Sequence, residues 1–262
     1  MKKVFAFLSI YLCIIIVIGI PISAQGAVFN WYCKREKDHK QPIADSSMKF
    51  VEDLGGYYVD KRFGDDSSEK VIYLTFDAGY ENGNVKKILD TLKEEDVPAA
   101  FFILDNIIIK NKDLVIRMAE EGHLVCNHTS KHLDVSKFKT IEEFKREVEK
   151  LEDIYRQTTG KEMSKYFRPP EGRFSLESMK FANDLGYKTI FWSFAYADWD
   201  NSSQMSCEKA KEKIMSNVHN GEIMLLHPTS ATNAAILGDV IRELKLQGFR
   251  FASLNELTND QI

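Results

Sequence analysis

Cysteine is scarce in this chain of 262 residues: there are four, and Cys13 lies inside an N-terminal apolar run, which leaves Cys33, Cys126 and Cys207 for the remainder. Three thiols cannot pair completely, and no CxxC or Cys/His spacing points to a thiolate metal site. They read as small apolar residues, with a single disulfide as the alternative. Clustered positive charge is also lacking. The formal net charge is -4, and counterion-driven binding to nucleic acid needs grouped Lys and Arg, so nucleic acid is excluded as a partner. Internal repeats and low-complexity tracts are missing as well, and a hydrophobic content of 44% suffices for one sizeable core.

The N-terminus carries what the rest avoids. Met1, Lys2 and Lys3 precede an apolar run from Val4 to Ile20, followed by Pro21, Ser23 and Ala24. Basic start, apolar centre and small-residue end in that order predict export, with residues 1–24 either a cleaved signal peptide or a retained membrane anchor. Residues 25–68 mix charges with Gly55, Gly56 and the polar stretch 64–68, show little apolar period, and read as an extension and linker.

From residue 69 to 258 the pattern changes. Short apolar runs at 71–76, 99–104, 123–126, 189–192, 222–226 and 249–251 read as strands. Amphipathic stretches at 113–121, 140–156, 175–185, 207–218 and 234–246 read as helices. Alternation of this kind predicts an α/β domain built on a parallel sheet, open or closed into a barrel.

Reactive residues recur where the apolar runs stop. The first run ends at Asp77, where an α/β sheet opens into its ligand crevice, although an aspartate capping a turn would look the same. His128 and His132 follow the third run at a spacing of four, which on one helical turn would let two imidazoles share a divalent metal; capping or surface roles are the alternative. Arg168, Pro169 and Pro170 form a stiff turn that suits a guanidinium orienting a carboxylate, or simply a rigid surface turn. Asp198 and Trp199, then Leu225, Leu226 and His227, supply an acid to tune a histidine and a histidine to donate a proton.

Thr75-Phe76-Asp77, His128-Thr129-x-x-His132, Arg168-Pro169-Pro170-x-Gly172, Asp198-Trp199 and Leu225-Leu226-His227 together resemble the polysaccharide deacetylases, the carbohydrate esterase family with the nodulation-deacetylase homology domain. Asp77 to Gly83, Phe191-Trp192-Ser193, and His227-Pro228-Thr229-Ser230 with Asn233-Ala234 resemble, within it, the subgroup that deacetylates muramic acid during muramic δ-lactam formation in spore cortex. The resemblance implies a deformed (β/α) barrel and metal-assisted hydrolysis of N-acetyl groups on peptidoglycan glycan strands, beside an amidase that removes the stem peptide. It implies Asp77 as general base, Arg168 as its orienter and His227, tuned by Asp198, as general acid. It also implies substrate contacts at Tyr80, Pro169, Trp199 and Leu225, and a metal, zinc above all, on His128 and His132. Trp199 would equally fit core packing.

One family residue is missing. Ala78 stands where a second acid usually ligates the metal, so the resemblance implies weak metal binding, with solvent or a polar neighbour such as Asn82 in the third position. Other readings are a glycan-binding module that has lost catalysis, a deacetylase of another N-acetylated polysaccharide, and a deacylase of small molecules, which export disfavours.

Overall fold

A computed structural model describes residues 26–64 and 66–259. Residues 1–24, expected to direct export, lie outside them, and among the described residues no helix is long and apolar enough to cross a membrane.

The strands are β1 (Val28–Asn30), β2 (Cys33–Lys34), β3 (Ile43–Ala44), β4 (Gly56–Tyr57), β5 (Lys70–Ala78), β6 (Ala100–Ile103), β7 (Leu124–Asn127), β8 (Ser164–Phe167), β9 (Arg173–Ser175), β10 (Lys188–Ile190), β11 (Glu222–Leu226) and β12 (Phe249–Phe251). The helices are α1 (Phe50–Asp53), α2 (Val85–Glu94), α3 (Asp105–Lys110), α4 (Lys112–Glu120), α5 (Ile141–Thr159), α6 (Leu176–Asp184), α7 (Cys207–Met215), α8 (Ala231–Leu246) and α9 (Leu254–Leu257). Eight strands form one sheet in the order β11-β5-β6-β7-β8-β10-β4, with β12 beside the start of β5. All its strand pairs are parallel, and an antiparallel bridge from Val59 to Glu222 joins the two ends. The result is the deformed (β/α) barrel.

Alternation along β5 sorts its side chains. Val71 and Tyr73 pack inside with Ala100, Phe102, Cys126, Tyr166, Ile190 and Ile223. Ile72, Leu74, Phe76 and Ala78 pack outward against Val85, Ile88 and Leu89 of α2 and Ile236, Leu237 and Val240 of α8. Thr75 and Asp77 continue the inner row, and the apolar strand thereby delivers a carboxylate to the barrel mouth. Helix α5 shows the local signals plainly. Thr140 and Glu143 form a capping box, Phe144, Val148, Leu151 and Tyr155 make the buried stripe, and Gly160 ends the helix at φ 69°.

Within the expected extension and linker, residues 28–59 are instead built structure. Trp31, Met48, Phe50, Val51, Tyr58 and Val59 are buried with Phe174, Leu176, Met179 and Phe191. Strand β4 joins the main sheet beside β10, and β1 pairs with β9. Elements of two to four residues are too short to display a period, which is why the segment looked unstructured. Cys33, Cys126 and Cys207 are all free thiols, so the disulfide alternative fails.

Candidate active site

Asp77 sits at the mouth of the barrel, and its surroundings decide its charge. Its Oδ1 accepts from Arg168 Nη1 at 2.8 Å, and its Oδ2 lies 3.5 Å from His128 Nε2. Burial opposes ionisation, but Arg168, His128 and His227 outweigh it and hold the carboxyl below its ordinary value.

Arg168 has no solvent exposure. Its Nη2 donates to Thr75 Oγ1 at 2.9 Å and to Phe191 O at 3.3 Å, its Nε donates to Ile190 O at 2.9 Å, and Phe102 lies under its guanidinium at 4.1 Å. A buried cation with this many acceptors has one orientation, and that orientation fixes Asp77.

The two histidines are brought together by a loop, not by the helical turn their spacing suggested. Thr129 and His132 have φ of 67° and 58°, in the left-handed region. Local bonds hold that path: Thr129 N–H donates to Asn127 Oδ1 at 2.9 Å, Leu133 N–H donates to Thr129 Oγ1 at 3.2 Å, and Ser130 Oγ donates to Asp105 Oδ2 at 2.8 Å. The two rings meet edge to face at 5.1 Å. His128 Nδ1 engages Arg168 O at 2.8 Å, which leaves Nε2 facing the cleft. Burial pushes its imidazole down to about 4, so it is neutral near pH 7.

His227 faces this group from the residue just past β11. Its Nδ1 meets Asp198 Oδ1 at 2.8 Å, and its backbone N–H donates to Asp198 Oδ2 at 2.8 Å. Asn233 Nδ2 donates to Asp198 Oδ2 at 2.6 Å, and Tyr196 Oη donates to Asn233. Burial lowers the His227 pKa, but Asp198 and Asp77 more than offset that, and the net shift is upward.

These groups open on one cleft of about 640 Å³ lined by Asp77, Tyr80, His128, His132, Leu225 and His227, with Trp192 and Trp199 as aromatic walls. Tyr80 and the 63% exposed Trp199 stand at its rim, so the core-packing alternative for Trp199 is wrong. Pro169, expected at the substrate, is buried in its turn and does not line the cleft; it acts on the backbone only. Glu171, Trp192, Tyr196 and Thr75 were not singled out as site residues from the sequence. Thr75 left one signal, a hydroxyl in an otherwise apolar run; the others depend on loop geometry.

The two imidazoles fit a divalent cation as two of the three protein donors that a catalytic zinc site carries. The Nδ1 contact of His128 to a carbonyl is the support a ligating imidazole usually has. A third donor is lacking: among the described residues no group of three or more His, Cys, Asp or Glu comes together to hold a metal. Ala78 is buried among apolar side chains, and Asn82, suggested as a substitute, donates instead to Thr229 O at 2.8 Å.

Residues 64–190 match the family model described as polysaccharide deacetylase. The peptidoglycan-N-acetylmuramic acid deacetylase PdaA of Bacillus subtilis is 37% identical over 87% of this chain and 85% of its own. The solved structure of Bacillus subtilis PdaA, a family 4 carbohydrate esterase, superposes with a TM-score of 0.83 at 36% identity over 90% of this chain and 98% of that one. A family 4 pseudoenzyme from Bacillus anthracis superposes with a TM-score of 0.69 at 26% identity over 83% of this chain and 73% of that one. The chain therefore belongs to the polysaccharide deacetylase family, hydrolases of carbon–nitrogen bonds in acetylated sugars.

Proposed function

We propose that this protein is a peptidoglycan N-deacetylase that removes acetyl from N-acetylmuramic acid, on glycan whose stem peptide an amidase has already taken off, in the route to muramic δ-lactam of spore cortex. One observation carries the chemistry: a carboxylate fixed by Arg168 and an imidazole fixed by Asp198 face each other across a single cleft. The choice of muramic acid is supported by the activity named for the Bacillus subtilis relative. The basic and apolar start of the chain supports a site of action outside the cytoplasm.

Asp77 is held ionised and takes a proton from water as the water oxygen attacks the acetyl carbonyl carbon. The tetrahedral oxyanion forms beside Gly79 and Tyr80, which line the cleft, where a backbone N–H can receive it. With Nδ1 engaged by Asp198, His227 presents Nε2, and its proton goes to the amine nitrogen as the C–N bond breaks. Acetate and a free amino sugar result. A divalent cation such as zinc, when bound on His128 and His132, would supply positive charge next to the acyl oxygen and the water.

Ala78 favours a second reading, a glycan-binding protein with impaired turnover. Mass spectrometry of peptidoglycan digested after incubation, with and without chelator, separates the two. Loss of acetyl from muramic acid supports the proposal; loss from glucosamine alone defeats its choice of sugar, and intact glycan favours binding without turnover.

A further inference from the structure

Residues 26–63 lie upstream of the stretch that the family model matches, yet they reach the back of the cleft. Trp31 does so at three points. Its backbone N–H donates to Gly172 O at 2.7 Å, its Nε1–H donates to Trp192 O at 2.9 Å, and its ring stacks on Phe191 at 4.4 Å with 22° between planes. Each point touches a segment that faces the site. Gly172 ends the Arg168 turn, with φ at 63°, and a Cβ there would come within 2.6 Å of Trp192 and 3.1 Å of Trp31. Trp192 walls the cleft, and the Phe191 carbonyl is one of the acceptors that hold Arg168.

The turn at 168–172 and the segment 190–192 leave the neighbouring strands β8 and β10, and beyond the strand ends Arg168 bonds one to the other through the Ile190 and Phe191 carbonyls. Trp31 ties them from behind. It is 5% exposed and packs on Tyr58 at 5.1 Å, so it has no freedom of its own. We infer that Trp31 is a positioning residue for the deacetylase site: it sets the Trp192 wall that receives the sugar and, through Phe191, the Arg168 guanidinium that aims Asp77. This inference rests on the deacetylase reading.

Two full-chain variants test it, with kcat and KM measured on soluble peptidoglycan fragments and folded fraction followed by circular dichroism. Trp31→Phe keeps the backbone donor and a stacking ring but loses the bond to the Trp192 carbonyl. KM should rise about threefold to tenfold, the worth of one hydrogen bond, with kcat within about twofold. Trp31→Ala removes the stack as well, and kcat should then fall about tenfold or more as Arg168 loosens. Wild-type kcat and KM in Trp31→Phe overturn the inference, as do losses in either variant that disappear when activity is expressed per folded molecule. Should Trp31→Ala fail to fold, Trp31→Phe decides alone. A wild-type enzyme that spares muramic acid and releases acetate from glucosamine defeats the substrate reading, and the same comparison then runs on that sugar. A wild type without turnover moves it to the Kd for glycan by calorimetry, where an unchanged Kd in Trp31→Phe overturns the inference.

Discussion

The guanidinium of Arg168, with no solvent exposure, meets the carboxylate of Asp77 at 2.8 Å. Removing one member of a buried pair leaves the other uncompensated, so the pair is a unit of chemistry and of stability together. Arg168→Lys keeps the charge but loses the planar fork that reaches Asp77, Thr75 and two carbonyls. Acetate release should fall at least about tenfold and the melting temperature should drop. Wild-type values for both would remove the pair from the mechanism.

Asp77→Asn and His227→Ala should each lower turnover by about 10²–10⁴-fold, the usual worth of a positioned proton-transfer group. Circular dichroism should remain that of the wild type in His227→Ala, whereas Asp77→Asn, which leaves the buried Arg168 cation without its counter-charge, should also lower the melting temperature.

The pH profile follows from two opposite shifts. Asp77 must be ionised, and its pKa lies below the ordinary 3.8, so activity is lost on the acid side only as pH falls through that lowered value. His227 must be protonated, and its pKa lies above 6.5, so activity is lost as pH rises through that raised value. Asp198→Asn removes the main group raising it, and the alkaline limb should move to lower pH. A limb that stays in place in a pH-rate series would show that His227 is not the proton donor.

Trp199 stands at the rim and 63% exposed, so Trp199→Ala should leave the melting temperature within about 1 °C while raising KM about tenfold. A large loss of stability would mean that the side chain packs more closely than it does in this structure.

Zinc titrated into the wild type should bind weakly, and His128→Ala or His132→Ala should abolish what binding there is. Calorimetry giving equal affinity in all three proteins would place the metal elsewhere.

The barrel was legible because β5, β6, β7 and β11 are largely buried and read as apolar runs, and because α5 shows cap, stripe and terminal glycine in one stretch. Asp77, His128, His132, Asp198 and His227 were legible because each lies near the end of such a run or in the loop beyond it; Arg168 follows β8, whose Ser164-Lys165-Tyr166-Phe167 is no apolar run, and stood out through the two prolines after it. Two things were not. The path that joins His128 to His132 needs left-handed backbone at Thr129 and His132, which the side chains of Asn127 and Thr129 stabilise; spacing alone suggested a helix. The packing of residues 28–59 was hidden because Trp31, Phe50, Val51 and Tyr58 come from separate short elements whose partners, such as Phe174 and Phe191, are far along the chain.

Strand β5 carries Asp77, and its neighbours on the sheet have very different ages during synthesis. Residues 75–78 pair with β6, about 25 positions later, but residues 72–76 pair with β11 and residues 70–72 with β12, close to the end of the chain. A nascent chain that stops short of Glu222 leaves one whole side of β5 without hydrogen-bond partners, and an unpaired apolar strand is the form most prone to wrong association. The end of β5 that bears Asp77 can therefore pair with β6 early, while the rest of the strand completes its ladder only when β11 and β12 have been made.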